Sequence, residues 1–350
     1  MYSILKINNF RQFKDFEMDL KPISIIAGKN NTGKTSILES IFLLHDYANP
    51  NVFFKISNFR GIHTGNITPK KVWEPIFNEL NPTKILTIGL DADFSIKLEK
   101  NGRYSLPNDV SNDLKSIIGT PSVNYALSCA VKKDGNEFKG NYIIGNNIAL
   151  IGDNGKTPLF TISYIQYIGP NVIPDDIIIT EWFGRIELME KEKKQILIEG
   201  LQILDKNITD ITTIVENGFP QLYITGKQKT KMPLCIMGDG IRKIMNAALT
   251  ILANPACVIL LDELENGLHH SLHSKFWEFI VSLATQEKCQ VIATTHSYEC
   301  INGVFKGIKK LGLDDNFAYI RLDTENQNVV SKTFTSDMLE FALDSDLEVR

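Results

Sequence analysis

Eight residues near the start of the chain, Gly28-Lys29-Asn30-Asn31-Thr32-Gly33-Lys34-Thr35, have types and spacing suited to phosphate. The two glycines permit backbone turns that side chains would block, so successive N–H groups can point inward at an anion. Lys34 supplies a cation for β- and γ-phosphates, and the Thr35 hydroxyl can ligate Mg²⁺. Asn30, Asn31, Thr32 and Ser36 complete the set of residues expected around the phosphates. The pattern fits a P-loop. It requires a buried strand before it, read over 23–27, and a helix after it, whose N-terminus adds its positive dipole end.

Two carboxylates far along the chain are the natural complement. The apolar run Cys257–Leu261 reads as a strand buried on both faces of a parallel sheet, and it ends in Asp262-Glu263. A carboxylate at the C-terminal edge of such a strand is placed to organise Mg²⁺, which assigns Asp262 with Thr35 to the metal. Glu263 is placed to orient or deprotonate an attacking water. A further buried strand over 290–295 ends in Thr294-Thr295-His296, which brings His296 level with those carboxylates and within reach of a γ-phosphate. Ahead of an apolar helix stands Gly238-Asp239-Gly240, in which Asp239 can cap the helix and Gly240 lets a phosphate approach its first turn. Arg11, on a short hairpin before the first buried strand, could reach the nucleotide or serve as a turn residue.

The elements between are read from periodicity. Residues 2–7 and 16–20 alternate as strands. The helix after Thr35 carries Ile37, Leu38, Ile41, Phe42 and Leu44 on one side and ends near 45–49, since Pro50 follows. Residues 51–81 read as irregular or short-helical. Lys84–Leu98 alternates as a strand with Asn101-Gly102 as its hairpin signal, and 125–131, 137–144, 148–151 and 159–168 continue the β character. Residues 175–206 turn helical, with one helix expected over 186–201. A β-hairpin over 208–215 and 221–224, a basic loop over 226–231, a helix over 268–283, a strand pair over 317–322 and 329–334, and a terminal helix over 336–343 complete the reading.

Composition sets bounds. The chain has 350 residues, 43% hydrophobic and 22% charged, as in ordinary globular proteins, and is long enough for more than one lobe. A net charge of −4 argues against a DNA-coating protein but leaves a local basic patch open. The five cysteines show no CxxC spacing and read as reduced thiols. No signal peptide and no apolar run of membrane-spanning length is found, so a cytoplasmic protein with no membrane partner is expected. His269, His270 and His273 invite a metal reading, but no cysteine or carboxylate has the spacing to complete a zinc site.

Taken together, the hairpin NFRQF, the loop GKNNTGKT, the block MGDGIRK, the block VILLDELENGLHH and the strand VIATTHS resemble the ABC-type ATPase heads of the RecF, structural-maintenance-of-chromosomes and OLD-nuclease superfamily. They look most like its compact OLD-like members. The resemblance implies an α/β P-loop NTPase with an ABC-type head. Its mixed β-sheet would be flanked by helices and carry an antiparallel β-subdomain and a helical insertion. It divides the chain into 1–50 and 233–350 (the two parts of the ATPase head), 51–170 (insertion and β-subdomain) and 171–232 (helical arm and hairpin). ATP and Mg²⁺ are the implied cofactors and ATP hydrolysis the implied reaction. MGDGIRK would take the place of the signature that faces the γ-phosphate of a second subunit, making the chain its own partner in a head-to-tail dimer or higher oligomer. Glu265, Asn266 and Gly267 would lie at that seam. The usual Ser-Gly-Gly is Gly238-Asp239-Gly240 here, so the hydroxyl contact is missing. Gln166, near a strand end, is the candidate for the loop glutamine of such heads. The stretch after His296 is too short for a TOPRIM nuclease domain, and Asp344-Ser345-Asp346 reads as a tail. The leading expectation is an ATPase whose nucleotide-dependent oligomerisation controls a separate effector such as a TOPRIM nuclease in phage defence. A RecF-like DNA-binding repair ATPase is the alternative, with DNA as its partner. A transporter subunit ranks third.

Overall fold

Alternation along the central strands decides the architecture. The computed structural model describes residues 1–62, 73–92, 94–101, 125–144, 148–152, 162–172, 175–263, 265–345 and 348–349. In chain order these form β1 (Ile4–Phe10), β2 (Phe13–Asp19), β3 (Ile23–Gly28), α1 (Lys34–His45), α2 (Val52–Phe59), β4 (Leu86–Leu90), β5 (Phe94–Asn101), β6 (Tyr125–Lys133), β7 (Asn136–Ile144), β8 (Ile148–Gly152) and β9 (Ile165–Ile168). Then come α3 (Asp176–Met189), α4 (Lys191–Gln202), β10 (Asp210–Glu216), β11 (Phe219–Thr225), β12 (Lys231–Pro233), α5 (Asp239–Ala253), β13 (Val258–Leu261), α6 (His273–Gln286), β14 (Gln290–Thr294), α7 (Tyr298–Leu311), β15 (Phe317–Glu325), β16 (Asn328–Phe334) and α8 (Ser336–Asp344).

A six-stranded sheet runs β16-β15-β3-β14-β13-β9, parallel except for β16. Its inner strands are continuously apolar because both faces are covered. Ile23, Ile25, Ile259, Leu261, Val291 and Ala293 pack on one face among the side chains of α3 to α7. Ile26, Val258, Leu260, Ile292 and Tyr167 point the other way, into a second core with α1, α2 and the antiparallel sheet. That sheet has seven strands in the order β2-β1-β4-β5-β6-β7-β8. The N-terminal hairpin β1-β2 is therefore its edge, not a separate unit. A three-stranded sheet, β10-β11-β12, lies beyond α4.

Several expected elements differ, each for a tertiary reason. Lys84–Leu98 is not one strand but β4 and β5, folded back at Asp91, whose φ is 54°. The Asp91 carboxylate holds that turn by accepting from Ser3 N, Ser3 Oγ and Ile4 N at 2.8–2.9 Å. Asn101-Gly102 runs into residues outside those described, as do the first residues of the expected 159–168 strand, of which 165–168 is β9, and Asp346 of the tail. The helix expected over 186–201 breaks at Glu190 into α3 and α4, with no proline or glycine at the break. Lys193 in the first turn of α4 is drawn instead to Leu252 O, Glu190 and Glu287. The helix expected from 268 starts at His273, after a single 3₁₀ turn. The basic loop supplies β12, a strand the sequence reading lacked. No helix among the described residues is long and apolar enough to cross a membrane.

Candidate nucleotide-binding site

The parallel order β3-β14-β13-β9 brings the carboxyl ends of four strands side by side, where α/β sheets place their ligands. From β3 the chain turns at Gly28 into the loop, and Gly33 (φ 99°) is the N-cap residue of α1. A Cβ on Gly33 would lie 2.2 Å from Gln12 Nε2, so this glycine is required both by its conformation and by the hairpin lying over it. Thr32 Oγ1 donates to Lys29 O at 2.9 Å and tightens the loop, while Asn30 and Asn31 stay exposed. Lys34 Nζ curls back onto Gly28 O (2.7 Å) and Lys29 O (3.0 Å), filling the cradle with its own ammonium group. Burial lowers the Lys34 pKa, against the pull of Asp262, Glu263 and Glu265.

Asp262 is 4% exposed and lies at the end of β13. Three hydroxyls converge on its carboxylate. Thr35 Oγ1 donates to Oδ2 at 2.9 Å, Tyr167 Oη donates to Oδ2 at 2.7 Å, and Thr294 Oγ1 donates to Oδ1. Such charge-assisted bonds keep a buried carboxylate satisfied. The Tyr167 phenol is driven far up in pKa by burial first and by Asp262 second, so it remains a donor. Thr294 Oγ1 also accepts from Glu263 N at 3.1 Å, which binds β14 to the turn after β13. Glu263 itself has φ 47°, and its Oε2 accepts from Asn266 Nδ2 at 2.9 Å.

His296 stands just beyond β14, and Glu265 holds it. Oε1 of Glu265 lies 2.9 Å from His296 Nδ1 and accepts from His296 N at 2.9 Å, and its Oε2 accepts from Thr295 Oγ1. Glu265 and Asn266, expected at a seam between subunits, thus both bond within their own chain. At the start of α5, Gly238 is the N-cap residue and no side chain caps the helix. Asp239 is not the cap: its carboxylate pairs with Arg242 one turn along. Gly240 packs on the turn that follows β13, where an added Cβ would lie 2.7 Å from Gly267 O. Lys243 Nζ donates to Glu263 O (3.3 Å) and Asn266 O (2.5 Å), tying α5 to that turn.

Two expectations are corrected. Arg11 does not reach toward the loop; its Nε donates to Glu39 Oε2 at 3.0 Å and its Nη1 to Pro75 O. Gln166 is turned away from Asp262 by strand alternation: it bonds to Tyr164 and to Tyr167 O, and Tyr167 takes the inward position. Sequence reasoning missed Tyr167, the roles of Thr294 and Gln12, and the buried Glu39 between Arg11 and Arg60. The period-2 phase of β9 was the available signal for Tyr167. Ser36 is part of that network, donating to Gln12 Oε1 at 3.0 Å and accepting from Arg60 Nη2 at 2.9 Å. Among the described residues no group of three or more His, Cys, Asp and Glu side chains is placed to hold a metal ion.

The family model described as AAA ATPase domain matches residues 1–154 and 179–301, well over half of the chain. The chain belongs to the AAA ATPase domain family. This ATPase is 25% identical over 386 aligned positions to the ATP/GTP phosphatase of Helicobacter pylori, with 99% of both chains covered. It is 23% identical to the OLD nuclease of Thermus scotoductus, over 95% of the ATPase and 64% of that protein. Among solved structures, the Smc head bound to the C-winged helix domain of ScpA aligns over 98% of the ATPase and 99% of that chain, at TM-score 0.51 and 12% identity. At that identity the likeness concerns the fold, which is that of an SMC head. The ATPase is thus an ABC-type P-loop ATPase of the RecF, SMC and OLD kind.

Proposed function

We propose that the ATPase binds ATP with Mg²⁺ between the 28–35 loop and Asp262, and that hydrolysis is used to switch its association with itself and with an effector. The observation that carries this reading is the 2.9 Å contact between Thr35 Oγ1 and Asp262 Oδ2, side chains 227 positions apart in sequence. A hydroxyl and a carboxylate in contact are an all-oxygen donor set that suits Mg²⁺. Bound there, the metal would neutralise charge on the β- and γ-phosphate oxygens. Gly28, Asn30, Asn31, Thr32, Gly33, Lys34 and Ser36 would surround the phosphates, with Lys34 exchanging loop carbonyls for phosphate oxygens. Glu263 would take the proton of the attacking water, held in place through Thr294 and Asn266. His296, oriented by Glu265, would face the γ-phosphate.

In this reading the start of α5, with Gly238, Asp239 and Gly240, meets the nucleotide of a second copy. Asp239 brings a carboxylate to a phosphate, and its pairing with Arg242 offsets that charge. The effector is proposed to be a separate nuclease, in the setting of phage defence. The named OLD nuclease relative supports this, since its length extends well beyond the region it shares with the ATPase.

The test is the light-scattering mass of Glu263→Gln with and without Mg-ATP. That variant should retain ATP without turnover, and its mass should at least double when ATP is added. A mass indifferent to ATP, or normal turnover by the variant, would refute the switching reading or the role of Glu263 respectively.

A further inference from the structure

The Tyr167 phenol lies against the Asp262 carboxylate although nothing in the loop chemistry calls for an aromatic there. We propose that Tyr167 is a positioning residue for the metal-binding carboxylate, fixing Asp262 Oδ2 beside Thr35 and tying that atom to the end of α2. The proposal rests on the reading of Asp262 as a metal residue given above.

Three observations carry it. First, Oδ2 receives two hydroxyls, Thr35 Oγ1 at 2.9 Å and Tyr167 Oη at 2.7 Å, while Oδ1 receives Thr294. The carboxylate is thus held from both of its oxygens, and Tyr167 is the donor that comes from β9, at the open edge of the six-stranded sheet. Second, the tyrosine ring is itself held by a partner. It stacks on Phe59 of α2, with ring centroids 3.6 Å apart and planes 5° from parallel. Phe59 and Tyr167 also line a cavity of about 560 Å³, and the Tyr167 side chain is fully buried, so the stack, the hydrogen bond and the packing together hold the ring. Third, the backbone makes room for the ring. A Cβ on Gly169 would lie 2.6 Å from both Cε1 and Oη of Tyr167, closer than real Cβ atoms come to a neighbour.

The same chain of contacts leads from the proposed metal carboxylate to Arg60. Phe59 is followed by Arg60, whose Nη2 donates to Ser36 Oγ on α1. An unbroken run of contacts therefore leads from Asp262 through Tyr167 and Phe59 to the end of α2.

The experiment measures Mn²⁺ half-saturation by electron paramagnetic resonance, with the non-hydrolysable analogue AMP-PNP present, on the whole chain and its variants. Tyr167→Phe keeps the ring and removes only the hydroxyl. It should raise the Mn²⁺ concentration at half-saturation by about tenfold, as loss of a hydrogen bond to a charged group implies. Binding of AMP-PNP in EDTA should be unchanged. Gly169→Ala, which displaces the ring without touching its chemistry, should shift Mn²⁺ in the same direction. Half-saturation within twofold of the parent in both variants overturns the proposal. So does a loss of metal-free AMP-PNP binding equal to the loss of Mn²⁺ binding, which marks a general disturbance of the site. Asp262→Asn separates the two levels. If it leaves Mn²⁺ half-saturation unchanged, the metal reading fails and the proposal with it. If it weakens Mn²⁺ while the Tyr167 and Gly169 variants do not, only the role of Tyr167 fails.

Discussion

Replacing Glu39 by glutamine tests the packing behind the phosphate loop. Glu39 is on α1, its side chain is 0% exposed, and it accepts from Arg11 Nε at 3.0 Å and from Arg60 Nε at 2.6 Å. Arg60 Nη2 adds a further bond at 3.0 Å. Burial lowers the Arg11 pKa, and the charge of Glu39 works against that lowering. Glutamine keeps the shape and one acceptor oxygen but removes the charge, leaving two guanidinium groups facing each other. Removing one partner of a buried pair costs about 3–5 kcal/mol. Arg60 is 37% exposed at its side chain and can turn toward water, whereas Arg11, at 12%, cannot. The lower end, about 3 kcal/mol, is therefore expected. With a urea slope of about 3 kcal/mol/M, the midpoint should fall by about 1 M. Tryptophan fluorescence follows this well, because Trp73 and Trp277 are both fully buried and report on the two cores. The double variant Arg11→Leu/Glu39→Leu removes the stranded charge and should recover at least half of the loss. A midpoint shift below about 0.2 M for Glu39→Gln would refute the account of Glu39 as the anchor of this site.

Lys34→Ala should abolish ATP binding or weaken it severely, and unchanged affinity by calorimetry would contradict its phosphate role. Thr294→Val removes the hydroxyl that serves both Asp262 Oδ1 and Glu263 N. It should lower kcat by about ten- to a hundredfold with ATP affinity little changed, as steady-state hydrolysis will show. His45 is 6% exposed, and burial lowers its pKa from 6.5 to about 4. The folded state therefore holds the neutral ring, and the unfolded chain takes up the proton first as pH falls. Stability should decline from pH 6.5 toward pH 4, by on the order of 3 kcal/mol at the lower end from this residue alone. His45→Leu should flatten that limb in urea midpoints measured across the range. Parallel decline in parent and variant would exclude His45 as the cause.

What was legible in the sequence was local. The loop from Gly28 to Thr35 carries its geometry in adjacent residues, and Asp262 announces itself at the end of an apolar run. What was not legible depended on distant partners. Asp91 turns the chain without a glycine because Ser3 and Ile4 bond to its carboxylate. Arg11 looked free because its acceptor, Glu39, is on a helix where a buried carboxylate had no sequence signal. Gln166 lies near a strand end, but the phase of β9 gives the inward place to the tyrosine beside it. Asp239 had the composition of a helix cap, but Gly238 precedes the helix and Arg242 claims the carboxylate.

The position of β3 has a consequence for how the molecule is made. It is paired on one side with β14 and on the other with β15, so its neighbours are Gln290–Thr294 and Phe317–Glu325. A ribosome adding about 5–20 residues per second leaves Ile23–Gly28 without either neighbour for roughly 10–50 s. Through that interval an apolar strand has both of its edges open, and the phosphate loop it carries lacks Asp262. On the proposed reading, the nascent chain cannot hold Mg-ATP until Asp262 has been made, and a fully buried strand waits for shelter at both of its edges. On that reading, nucleotide joins side chains made 227 residues apart.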